Sequence, residues 1–347
     1  MSAIINTDSL NRTSQQYNPT LQVLPFMMLD PTMQELAINF LEVVGKDTKV
    51  TFLRKGNVSK PYVAGVIDYS DLGKAIERTL EVKPAYAALK DHIMNYKSKL
   101  VASNAISAER NDNKTKKHPL EFLILEEKVK TVSEDIISAL FHAERDDNDK
   151  SPMGMFDGFN THIANAIIAG EISVAKGNQY NTGSIIAPTS GTDTDAYDKV
   201  VAFIRSANPM LRKNGILYIT QTTLFHAIDA LGNKIKSKDL LEFEVFLRHL
   251  QGSTATPSLR VIAHEALGTG DNLLLTVPGN LDFGMNTRGD EKFVQVRNPF
   301  EDPNIVQFWT QWESGTRITQ LHPKTFLVNN GVAASADLSG DYVDVAS

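Results

Sequence analysis

Few residues in this chain have the types and spacing that catalysis or metal binding needs. His264-Glu265 sets an imidazole beside a carboxylate, but the second histidine of a zinc helix is missing four residues on. The surrounding run, LRVIAHEA, also alternates like a strand. Asp146, Asp147, Asn148 and Asp149 crowd carboxylates into one loop without the glycine and closing glutamate of a calcium loop. Gly268-Thr269-Gly270 lacks the third glycine and the following helix of a dinucleotide site. GILYITQ (215–221) reads as a buried strand leading into a helix, yet Gln221-Thr222-Thr223 cannot form a phosphate-cradling glycine loop. There is no G-x-S-x-G nucleophile elbow. With Cys 0, thiol nucleophiles, thiolate metal sites and disulfides are excluded. His142 closes an apolar helix, where a contact at the helix C-terminus is its natural role. The expectation is therefore no catalytic, cofactor-binding or metal residue, no cofactor, and a protein that is not an enzyme.

Composition fits that expectation. The 347 residues are 42% hydrophobic and 22% charged, enough for one large or two modest domains. A net charge of -6 argues against a dedicated nucleic-acid grip, though not against a container that only encloses DNA. The N-terminal MSAIINTDSLNRTSQQYNP has neither the basic region nor the apolar run of a signal peptide. No stretch approaches the roughly 20 apolar residues of a membrane span, so no membrane partner is expected.

The most informative stretch runs from His118 to Gly170. Phe122, Leu125, Val129, Val132, Ile136 and Leu140 step by three or four and predict an amphipathic helix over 119–143. Pro119 suits its first turn. Such a helix would be about 37 Å long at ~1.5 Å per residue, more than the core of a small domain needs. A charged loop follows, then the turn MGMFDGF (153–159), then a second apolar helix from Thr161 to Ala169 with Gly170 as its C-cap.

Around this centre the chain divides by composition. Residues 1–30 are polar and read either as a disordered tail or as an arm ordered by a neighbouring subunit. The apolar patch Leu24, Phe26, Met27, Met28 and Leu29 favours the arm. A short helix is expected from Pro31 to Gly45, capped by Asp30, with Leu36, Phe40, Leu41 and Val44 inward. KVTFLRKG and ERTLEVKPAYAAL read as two strands around a polar excursion, a long hairpin unable to bury both faces alone. An ordinary lid is the competing reading of that hairpin. Residues 92–117 form a connector with a basic cluster at Lys114, Lys116 and Lys117, read as a solvated loop. Beyond a Gly/Ser/Thr/Asn-rich boundary, helices at 196–207 and 222–231 and strands at GILYITQ, LRVIAHEA and NLLLTVP predict an α/β segment. The end of the chain is expected to be β. FVQVR, NIVQFWTQW, a turn at Gly315, TRITQLHP and TFLVNN follow one another, with Val306, Phe308 and Trp312 on one face and Trp309 on the other.

Long helix, polar loop, F-D-G-F turn, second helix and a strand-rich ending in H-P-K-T-F-L-V resemble the major capsid proteins of tailed double-stranded-DNA phages. This is the Hong Kong ninety-seven phage fold, shared with encapsulins, and the resemblance spans roughly residues 30–330. It implies an α+β chain with an N-terminal arm and short helix (1–46), an E-loop hairpin (47–90) and a P domain with the spine helix (91–185). An α/β A domain (186–290), return strands of the P domain (291–331) and a flexible tail (332–347) complete it. The resemblance further implies self-assembly into pentamers and hexamers of an icosahedral virion shell around double-stranded DNA, without sequence specificity. A portal and a separate scaffold protein are its implied partners. Inter-subunit contacts are then expected at Leu24, Phe26 and Met27 in the arm and at Lys55, Lys60, Tyr62 and Lys74 in the E-loop. Competing readings are an encapsulin shell, a soluble α/β hydrolase around His264 and, more distantly, a phage tail-tube protein.

Overall fold

The computed structural model describes residues 7–42, 47–53, 75–92, 120–236, 243–286, 294–297, 305–330 and 333–334. Its centre is the spine helix, here α3 (Leu120–His142), about 35 Å long at ~1.5 Å per residue. Leu125, Val129, Val132, Ile136, Ala139, Leu140 and Phe141 are all buried, as the three-and-four spacing predicts.

One side of the spine is covered by the N-terminal helices, α1 (Thr7–Gln16) and α2 (Asn18–Glu35). This corrects two expectations. The segment is helical and packs on its own chain, with Leu10, Leu21, Leu29 and Met33 fully buried. Moreover, the helix expected from Pro31 to Gly45 is the last turn of α2. The chain leaves it through Ala37 at φ 53 and becomes strand β1 (Asn39–Glu42). Pro25 and Pro31 lie inside α2. Each removes a backbone bond, and the apolar burial along Leu21, Leu29 and Met33 offsets that cost.

A five-stranded sheet lies on the core. Its axis is β12 (Ile305–Ile318), a 14-residue strand. Along one edge it pairs antiparallel with β11 (Val294–Arg297) over 307–310 and with β10 (Leu281–Asn286) over 313–318. Parallel β1 flanks β10. Along the other edge β12 pairs with β4 (Lys83–His92). Val306, Phe308 and Trp312 point into the core and Trp309 points out, as alternation requires. The turn expected at Gly315 does not occur. A Cβ there would overlap the carbonyl oxygen of Glu81, so the glycine serves a close backbone approach rather than a reversal.

Strands β2 (Asp47–Leu53) and β3 (Ala75–Glu81) form a separate antiparallel pair that runs into β4 at Val82. The end of the expected hairpin, from Lys83 to Lys90, therefore belongs to the central sheet. The α/β segment has its own core. Helices α5 (Asp195–Ser206), α6 (Pro209–Asn214), α7 (Gln221–Ile235) and α8 (Phe243–Thr254) pack on a sheet ordered β5 (Gln179–Tyr180), β13 (Phe326–Asn329), β9 (Leu273–Thr276), β6 (Ile216–Ile219), β7 (Arg260–Ile262). Expected as a return strand beside the spine, β13 is inserted here instead. All of its residues are buried, which suits a strand covered on both faces. Ala333–Ala334, expected in a frayed tail, form strand β14 against β8 (Thr269–Gly270).

Candidate assembly surface

The expected contact residues divide cleanly. Phe26 stacks on Phe40 with ring centroids 5.4 Å apart, and Leu24 packs, half-buried, against the apolar cluster that includes Leu21 and Val129. Both serve the chain's own core. Met27 stands 65% exposed, beside Phe26, Asp30 and Phe40 on the surface. Lys55, Lys60, Tyr62 and Lys74 lie outside the described residues, as do Lys114, Lys116 and Lys117.

The F-D-G-F turn locks the end of the spine. Phe156 and Phe159 are fully buried, and the Phe159 ring lies 5.2 Å from that of Phe141. A Cβ at Gly158 would sit 2.7 Å from the carbonyl carbon of Phe141, so only glycine lets α4 (Phe159–Ile168) begin there. Asp157 accepts the backbone N–H of Arg145 at 2.9 Å, which closes the charged loop. His142 donates from Nε2 to the Leu267 carbonyl at 3.0 Å, which leaves Nδ1 to accept from Asn160 at 3.3 Å. Burial holds this imidazole below the usual histidine range, against the upward pull of the Leu267 hydrogen bond.

Where the β2–β3 hairpin leaves the body there is a cleft of about 510 Å³ between β3, α4 and β12. Its walls carry Arg78, Glu81, Asp157, His162, Glu171 and Arg317. These groups are already engaged structurally. Arg78 pairs with Glu171 at 2.6 Å across the cleft. His162 donates to the Thr316 carbonyl at 3.0 Å, and burial lowers its pKa. Arg317 is buried against Asp282 and reaches the Arg78 carbonyl at 3.4 Å. Asp282 also accepts from Asn39 at 3.0 Å and Thr319 at 2.9 Å, so one carboxylate ties β1, β10 and β12 together beneath the hairpin root.

The other sequence candidates are likewise consumed by local structure. His264 caps a short turn, its Nδ1 accepting from Ala266 N–H at 3.1 Å. Asp146 and Asp149 accept from Asn148 and Ser151 within their own loop. Among the described residues, no group of three or more His, Cys, Asp or Glu is placed to hold a metal ion. None of the described helices is long and apolar enough to cross a membrane.

Asp135 on the spine helix has its pKa raised to about 6, chiefly by desolvation and secondarily by Glu134. A raised carboxyl pKa contributes stability below the unfolded value of 3.8 and loses it as pH climbs toward about 6. Asp135→Asn is therefore expected to stabilise the chain at pH 7 by about 1 kcal/mol, after allowance for its partial exposure. The gain should vanish below pH 4, and thermal melts across that range check it.

Sequence reasoning missed the surface where β4 ends the sheet. Tyr86 and Trp309 stack there at 4.8 Å, interplanar 12°, with Tyr86 63% exposed. Lys90 and Arg297 line a shallow pocket together with Trp309. The signal was available in the alternation of KPAYAALK, whose Tyr86, Ala88 and Lys90 share one face.

No protein-family model and no curated protein sequence matches the chain. Solved structures do. A chain of the satellite phage P4 procapsid, a particle including the size determination (Sid) protein, aligns with TM-score 0.50 and 15% identity over 88% of this chain and 98% of that one. A chain from the capsid of an empty GTA particle aligns with TM-score 0.51 and 16% identity over 87% and 89%. Identities this low carry fold and nothing more. With a long central helix, a sheet against it, a separate two-stranded hairpin and an α/β core, this chain has the tailed-phage major capsid fold, the Hong Kong ninety-seven phage fold.

Proposed function

We propose that this chain is a major capsid protein that assembles into an icosahedral head enclosing double-stranded DNA. The single observation supporting it most is the alignment with a procapsid chain over 98% of that chain's length. A physical argument points the same way. Among the described residues β2 and β3 pair only with each other, and a two-stranded ribbon is marginal in water without another surface. A neighbouring copy supplies that surface.

In this reading the β2–β3 hairpin is the E-loop, and the spine helix with the β12 sheet is the P domain. Residues 186–290, joined by β5 and β13, form the A domain. Pentamers and hexamers, a portal, a separate scaffold protein and DNA held without sequence specificity follow as parts of the proposal. So does residence in the virion. The protein's work is association rather than catalysis. Obligate interfaces bury upward of ~2,000 Å², and closed symmetry repeats each contact many times.

Expression of the chain with and without its scaffold partner, followed by electron microscopy, is the test. Uniform shells that protect DNA from nuclease in the virion are the expected result. A monodisperse 38.3 kDa monomer under all conditions overturns the reading. Shells loaded with a protein cargo and no nucleic acid replace it with an encapsulin-type container.

A further inference from the structure

The central sheet ends at β4, a ten-residue strand whose only ladder partner among the described residues is β12. Which backbone groups face outward follows from Pro84. Its carbonyl accepts Arg145 Nη1 at 3.2 Å, on the side away from β12, and proline has no N–H for a ladder. N–H and C=O of one strand residue point the same way, and the direction alternates along the strand. Tyr86, Ala88 and Lys90 therefore turn both groups outward. Pro84 and the Arg145 guanidinium close this window at one end, and the strand stops at His92 at the other. Among the described residues the open stretch is 86–90, and its midpoint is Ala88.

We propose that this edge is a two-fold contact between copies of the chain, β4 pairing antiparallel with β4 of a second copy about Ala88. The window is self-complementary. Pairing about Ala88 opposes the small Ala88 side chains to each other and sets Lys90 of each copy beside Tyr86 of the other. Tyr86 already rests one ring face on Trp309, so an ammonium approaching the open face gains a cation–π contact. No like charges are opposed. On the inner face, half-buried Ala87 and Leu89 meet each other across the dyad, which extends the apolar layer over the join. Because 86, 88 and 90 all face outward, each of these pairs is of the hydrogen-bonded kind, exchanging two main-chain bonds. A dyad normal to the sheet keeps the outer faces of both copies on one side, which a closed shell demands. The proposal deepens the capsid reading and rests on it for the biological setting, but the contact can be tested separately.

The chain has no cysteine, so Ala88→Cys introduces a single thiol. Across a hydrogen-bonded antiparallel pair Cα atoms lie about 5.5 Å apart, within disulfide range. Mild oxidation, or a short bis-maleimide, is expected to convert most Ala88→Cys chains in assembled particles into covalent dimers. Gln311→Cys, on the same face but away from the dyad, stays uncross-linked. Ala88→Pro removes an outward N–H and is expected to lower shell yield at least tenfold while capsomers still form. Shells without cross-linked Ala88→Cys dimers overturn this contact and leave the capsid reading intact. Cross-linked dimers from a chain that never builds shells uphold the contact and overturn the capsid reading.

Discussion

Asp282→Ala is expected to cost the folded chain about 3–5 kcal/mol, the range for a buried ion pair stripped of one member. Asp282 and Arg317 have side chains only 6% and 4% exposed, so water cannot replace the lost carboxylate. Thr319 loses an acceptor in the same step, and Asn39 keeps only the Gly279 carbonyl of its two. The damage would fall where β1, β10 and β12 meet under the hairpin root. Urea denaturation at neutral pH measures it, and a loss below 1 kcal/mol would mean that solvent reaches the pair. The double variant Asp282→Ala/Arg317→Met should recover much of the loss, because it removes the stranded charge as well.

Gly315→Ala carries the second large effect, about 3 kcal/mol, at the upper end of overpacking penalties. The added methyl would overlap the Glu81 carbonyl oxygen and lie 3.1 Å from the Glu81 carbonyl carbon and 3.3 Å from Val82 Cα. All three are backbone atoms, so no rotamer change relieves the clash. Either β12 or the β3–β4 junction must shift. Gly191→Ala is the matched control, since nothing lies within 4 Å of the Cβ it adds. Thermal melts should separate the two variants by more than 5 °C. Equal melting temperatures would show that the strands approach less closely than described.

The spine helix and the F-D-G-F turn were legible because their signals are local. Six apolar residues at helical spacing, a first-turn proline and a glycine against an aromatic run need no distant partner to be read. Helix α2 was hidden by Pro25, which reads as a break, and by Pro31, which reads as the start of a new helix, although Leu21, Pro25, Leu29 and Met33 step by four. Tertiary packing on the spine overrode propensity there. Gly315 was misread for a different reason. A glycine marks a turn or a close approach, and only the position of Glu81, far off in sequence, decides between them. With β13, the apolar run Phe326-Leu327-Val328 reads as a strand but does not say which of two sheets would take it. The shared face of Tyr86, Ala88 and Lys90 could be read from alternation, but not that β4 lies at an edge, because an edge is defined by the strands that do not pair with it.

The parallel pairing of Asn39 with Asp282 has a consequence for how the polypeptide is made. During synthesis β1 and β4 leave the ribosome long before β10 and β12 exist, so the central layer cannot close until most of the message has been read. Contacts so distant along the chain slow folding and prolong the lifetime of sticky intermediates. Truncated nascent chains should therefore bind holdases heavily, and release should wait for the arrival of residues 281–318.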